Sequence, residues 1–321
     1  MKTAKLEDLL KRLAGGRLFQ KQDKKIAFLM PIFPPHYKYA KNFLESFEYY
    51  KLNKQADFYF VFSNEEDKST CKIKYEYKSI ILPEYLKDFG REQGIINVKK
   101  LYGVYQLKDN YEYIIVCDSE SLINKNINLL DICETFFNNK VLWGAIKYPC
   151  KEVESFTNAC SSLFAEKDKI DDKGLCFWFN QLCIYKANTI DEFFEKANLK
   201  ENITKLNFWH FDYYIYMYYL MLYHEFKPHN IINIYSDCSD KTCTLNVNYI
   251  TKYMNIATIE KYKEVKKLVG NKNKIFMLIQ LDRIILNSNK LLENKFKVVL
   301  RHILSCFIFK KCIRRKIRNG Y

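Results

Sequence analysis

Four short apolar runs alternate with segments of helical period, and few architectures accommodate that order. The runs are Lys25–Pro31 (KIAFLMP), Asp57–Phe62 (DFYFVF), Lys78–Leu82 (KSIIL) and the stretch from Tyr111 through Cys117 (YEYIIVC). Tyr37 to Tyr50 repeats aromatic residues at Tyr39, Phe43, Phe47 and Tyr50, and Ile95–Leu107 carries a second helical pattern. Two prolines in the loop Ile32–His36 stop the first run from continuing. A β-α-β-β-α-β order of this kind predicts an α/β fold, with a mostly parallel sheet crossed by helices. Only 9 Gly and 6 Pro in 321 residues argue against a many-turned sandwich and against long flexible linkers.

The fourth run ends in chemistry. YEYIIVCDSESLIN, Tyr111 to Asn124, leads straight into Asp118 and Glu120. The carboxyl end of a parallel strand opens on a ligand crevice. Strand alternation predicts both carboxylates on one side, with Ser119 turned away. Two carboxylates so placed suit a hard divalent cation, Mg²⁺ or Mn²⁺, whose shell is completed by water and substrate phosphates.

The formal charge of +15 predicts an anionic neighbour. Much of it sits after residue 294, where Lys295, Lys297, Arg301, Lys310, Arg314, Arg315 and Arg318 interleave with Phe296, Leu300, Leu304, Phe307 and Ile313. Two readings stand: an interfacial helix on an anionic membrane surface, or a terminal helix packed on the domain. No zinc-finger spacing, RNP-like strand or helix-turn-helix pattern accompanies the charge, so nucleic acid is not the expected partner. Eleven cysteines without a C-x-x-C pair read as reduced thiols in a cytoplasmic protein. Met1–Gly16 reads as a short amphipathic helix and not a signal peptide, and no run of apolar residues is long enough to span a bilayer.

The strand and its acidic end, I-I-V-C-D-S-E-S-L-I-N, resemble the aspartate-x-aspartate strand of nucleotide-sugar-dependent glycosyltransferases with the GT-A fold, Glu120 standing where that family usually has a second Asp. The resemblance covers roughly residues 25–235. It implies a GT-A-like, Rossmann-type sheet, with a domain at 25–250 preceded by a helical lead at 1–24 and followed by a helical, basic extension at 251–321. It further implies a metal-dependent transfer of sugar from a nucleoside diphosphate sugar donor to a hydroxyl of a glycan or glycolipid, of the lipooligosaccharide or capsule type; the basic tail would keep such an enzyme peripheral at the inner membrane face. Asp118 and Glu120 would hold the cation. The loop after the first strand would surround the nucleoside through Pro31, Phe33 and His36, with Phe33 or His36 stacking on the base. Lys99, one helix earlier than the acidic strand, would meet phosphate charge, and Ser119 would join Asp118 in contacting the donor.

Further along, Leu129–Asn138 reads as a helix and Val141–Tyr148 as a strand, and Cys150–Gly174 reads as an irregular, mobile substrate loop. Cys176–Tyr185 (CFWFNQLCIY) reads as a long strand in which Trp178 is a sugar-stacking candidate and Gln181 a ligand-facing amide. Asn207 to Phe226 (NFWHFDYYIYMYYLMLYHEF) reads as a buried helix with Asn207 as N-cap and Asp212 in its first turns, where the helix dipole favours a carboxylate. The resemblance makes Asp212 the base that deprotonates the acceptor if the reaction inverts, with Trp209 and Tyr213 desolvating it. A third metal ligand would come from His210, His229 or Asp237, and His229 is preferred because it precedes the strand-like Ile231–Tyr235. A nucleotidyl or phosphoryl-group transferase is the alternative enzyme, although no G-x-x-x-x-G-K-[ST] loop is present. A non-catalytic membrane-surface adaptor is the alternative outside enzymes.

Overall fold

The computed structural model describes residues 24–87, 94–144, 151–170, 175, 177, 181–230, 256–258 and 278–280. Its centre is a five-stranded sheet of order β3-β2-β1-β4-β7. β1 (Ile26–Pro31), β2 (Ala56–Phe62), β3 (Lys78–Ile81) and β4 (Tyr113–Val116) run parallel, and β7 (Cys183–Lys186) closes the edge antiparallel to β4. The protein is thus α/β, with a mixed, mostly parallel sheet flanked by helices in a Rossmann-like manner.

β1 is buried at every position. A parallel strand covered on both faces reads as a continuous apolar run for that reason. Ala27 and Leu29 face one layer, and Phe28 and Met30 face the other. The second layer is aromatic: α1 (Tyr37–Tyr49) sets Phe43 and Phe47 against Phe28 and Phe58. α2 (Glu65–Thr70) is capped by Asn64, whose side chain accepts from the Asp67 amide at 2.7 Å. α3 (Ile95–Leu107) lies on the first layer with Ala27 and Leu29, α4 (Leu129–Asn139) packs in the aromatic layer with α1, and later come α5 (Lys151–Ser161), α6 (Ile190–Lys196) and α7 (Asp212–Tyr223). A Cβ on Gly103 would stand 2.7 Å from Leu29. Glycine there lets α3 lie directly on β1 and fixes how deep its lysines sit. At the opposite, amino end of the sheet, Asp57 accepts from Lys24, Lys78 and Tyr111. Burial works against its charge, yet those three donors hold its carboxyl at about 2.

Several sequence expectations change. Residues 151–161 form a helix instead of part of an irregular loop, because Phe156 and Cys160 give it an apolar face on the α7 segment. The strand expected from Cys176 begins at Cys183 among the described residues, the register with β4 starting there. β6 (Val141–Gly144) pairs with β8 (Lys227–Asn230) in a separate two-stranded sheet, so the downstream strand lies ahead of Ile231–Tyr235, which falls outside the described residues. In the extension expected to be helical, the described residues are two strands, β9 (Ile256–Thr258) and β10 (Leu278–Gln280). β10 pairs antiparallel with β5 (Ser121–Ile123), so backbone hydrogen bonding ties it to the segment just after the acidic pair. The lead at 1–23 and the basic tail lie outside the described residues. Among the described residues no helix is long and apolar enough to cross a membrane.

Candidate functional site

From β1 the chain proceeds to β2 and β3 on one side, while β4 enters on the other. The carboxyl ends of β1 and β4 therefore diverge at a topological switch point, where open α/β sheets form their ligand crevice. Two segments meet there: the loop Ile32–His36 and the residues from Cys117 to Glu120.

β4 stops at Val116, and Ser119 and Glu120 form a turn before β5. Strand alternation consequently does not apply across the acidic pair, which corrects the expectation that Ser119 points away. Ser119 is buried, and its hydroxyl donates to Glu120 Oε2 at 2.9 Å. His36 Nδ1 lies 2.7 Å from the same hydroxyl oxygen and 2.6 Å from Glu120 Oε1. A carboxylate only accepts, so the Nδ1 nitrogen carries the hydrogen. Phe33, the exposed large apolar residue of this region at 40% exposure, stacks obliquely on His36 with ring centroids 4.0 Å apart.

Asp118 turns to a different partner. Lys100 of α3 is 2.9 Å from Asp118 Oδ1 and 3.3 Å from Asp212 Oδ1. Strict hydrogen-bond angles leave both oxygens unmatched, but at these separations within the interior the charge attraction satisfies them. Asp212 is fully buried, and Tyr185 on β7 donates to its Oδ2 at 2.8 Å. Burial alone would lower the Lys100 ammonium's proton affinity; Asp118 and Asp212 outweigh it and raise it. Burial and the neighbouring Asp212 raise Tyr185 as well, keeping it a neutral donor.

Asp212 opens α7, as the dipole argument requires, but Phe211 is the N-cap and makes no side-chain capping bond. Asn207 instead braces the approach to the helix, accepting from the Trp209 amide at 3.0 Å and contacting His210 Nδ1 at 2.9 Å. Burial pushes His210 below its ordinary value. Asn97 donates to the carbonyls of Asn207 at 3.1 Å and Phe208 at 3.4 Å. Lys100, Tyr185 and Cys183 touch the Asp212 carboxylate.

Lys99 does not reach the acidic turn. Its ammonium donates to the Ile32 carbonyl at 2.6 Å, at the root of the β1 loop, and burial pushes it down to about 8. The neighbouring lysine is the one the cluster uses, and two lysines inside an otherwise apolar helix were the signal for it. Pro31 is buried as the last residue of β1, in register with Val61. Gln181 is buried just ahead of β7. Trp178 and Asp237 lie outside the described residues, as does the side chain of His229, whose backbone pairs with Trp143 in β8.

Among the described residues no three His, Cys, Asp or Glu side chains converge on a common point. Of the acidic pair, only Asp118 is not engaged by His36 and Ser119. Its side chain is 20% exposed, and its Oδ2 has no hydrogen-bond partner among the described residues. Two carboxylates against one ammonium leave the Asp118–Lys100–Asp212 cluster with one net negative charge.

No protein-family model matches the chain, and no curated protein matches it.

Proposed function

We propose that this protein is a nucleotide-sugar-dependent glycosyltransferase with a GT-A-like fold, moving a sugar from a nucleoside diphosphate donor to a hydroxyl of a glycan or glycolipid. One observation carries the reading: at the switch point between β1 and β4, the acidic turn meets the aromatic loop after β1 on one side and the buried Lys100–Asp212 pair on the other. A mixed sheet with β7 antiparallel to β4 supports the same architecture.

Phe33 and His36 form the lip for the nucleoside, Phe33 offering an exposed ring face. Asp118 would hold Mg²⁺ or Mn²⁺ together with donor phosphates, and the cation would neutralise the leaving diphosphate. With a divalent cation present the net charge of the Asp118–Lys100–Asp212 cluster changes from minus one to plus one, which turns a repulsive mouth into one that attracts phosphate. Lys100 is locked between two carboxylates and moves little when that charge arrives, which is the preorganisation electrostatic catalysis needs.

Asp212 serves better as a counter-charge than as a base. Both of its oxygens are engaged, and it has no exposed surface from which to take an acceptor proton. The basic terminal tail supplies the membrane contact in this reading, at the face where lipid-linked glycans are built.

Thermal stability with Mn²⁺ and UDP-, GDP- or CMP-sugars tests the proposal. Stabilisation by one nucleotide sugar, abolished in Asp118→Asn, is the expected result; no response to any member of the panel would sink it.

A further inference from the structure

We propose that Glu120 is a positioning residue for His36 and not a cation ligand, which reassigns the second carboxylate of the acidic turn. The inference rests on the transferase reading only for what His36 touches; the arrangement of the residues stands apart from it.

Both oxygens of Glu120 are committed. Oε1 lies 2.6 Å from His36 Nδ1, and Oε2 accepts from Ser119 at 2.9 Å. Ser119 Oγ in turn lies 2.7 Å from the same imidazole nitrogen. Nδ1 therefore faces a hydroxyl oxygen and a carboxylate that themselves bond each other, so the ring is held from two directions. The grip crosses the crevice, joining the loop after β1 to the turn after β4. The loop contributes stiffness of its own: Pro34 and Pro35 fix the backbone before His36, and Phe33 stacks on its ring. A side chain one methylene shorter would stop roughly 1.5 Å short of this contact, so glutamate in place of aspartate at this position has a physical use. With the Nδ1 hydrogen committed, Nε2 is the nitrogen left for a ligand, accepting from an amino group at the edge of a base or, when it too carries a proton, donating to a phosphate oxygen.

Two substitutions separate the roles. Glu120→Gln keeps the length and an accepting oxygen but loses the charge a cation needs. Glu120→Asp keeps the charge and loses the reach. The side-chain ¹⁵N–¹H spectrum of His36 in the full-length protein reports its Nδ1 hydrogen bond without any activity, and displacement of Mn²⁺ from solution, read by its paramagnetic resonance, reports the cation.

We expect the His36 signature to survive in Glu120→Gln and to shift in Glu120→Asp, where the Ser119 oxygen alone remains in reach of Nδ1. Mn²⁺ affinity should fall by about tenfold or more in Asp118→Asn and by clearly less in Glu120→Gln. A His36 spectrum indifferent to Glu120→Asp would overturn the proposal, as would equal loss of Mn²⁺ affinity in Glu120→Gln and Asp118→Asn. Failure of the transferase reading shows separately, as a wild-type protein that binds no nucleotide sugar while the His36 comparison still follows the expected order.

Discussion

Tyr185 donates its phenol hydrogen to Asp212 Oδ2 across 2.8 Å, joining the antiparallel edge strand to the first residue of α7 inside the fold. No solvent reaches either group. Tyr185→Phe keeps the ring and removes the strong donor, leaving that buried oxygen only the weak Cys183 thiol at 3.8 Å. The expected cost is about 1–3 kcal/mol of stability, seen as a lower midpoint in chemical denaturation.

Lys100 carries more. Lys100→Met leaves Asp118 and Asp212 facing each other with no cation between them, and breaking a buried pair from one side costs roughly 3–5 kcal/mol. Adding Asp212→Asn should recover part of that loss, because the repulsion then has one carboxylate instead of two. Denaturation of the single and double variants measures the recovery, and strictly additive losses would show that the groups do not act together.

Lys99 gives a pH dependence of the less common sign. Its folded value of about 8 lies below its ordinary 10.5, so the native state binds fewer protons than the unfolded chain between those values. The destabilisation is fully present below pH 8 and is relieved as pH rises toward 10.5, by up to about 3 kcal/mol. Lys99→Met should remove that rise. The check is the difference in stability between the two proteins at pH 7 and pH 10, which cancels the titration of the many tyrosines.

Gly94 heads α3 where a Cβ would come within 2.4 Å of the Leu206 carbonyl oxygen and 2.8 Å of the Asn207 Cα. Backbone cannot step aside as a flexible side chain can. Gly94→Ala should therefore destabilise the protein by roughly 1–3 kcal/mol and weaken nucleotide-sugar binding, because the segment it displaces leads directly into Asp212.

Much of the architecture was legible in the chain. The α3 boundaries, Ile95 and Leu107, coincide with the helical pattern read from sequence, and β1 to β3 lie within a residue of their apolar runs. Local periodicity reports such elements because burial on one face or two imposes it. The acidic turn was placed at the right end of the right strand for the same reason.

Pairing across the fold was not legible. Lys99 and Lys100 are adjacent, both buried and chemically identical in sequence, and only how α3 lies on the sheet, which turns successive side chains in different directions, decides that one meets a carbonyl and the other two carboxylates. Glu120 likewise carried a charge that sequence could name and a partner it could not, since His36 lies on a different strand's loop. By itself the chain determined its alternating elements and where its chemistry gathers, through local patterns of burial. Tertiary structure alone decided which charge meets which, because ion pairs and hydrogen bonds depend on distances of a few ångströms between segments remote in sequence.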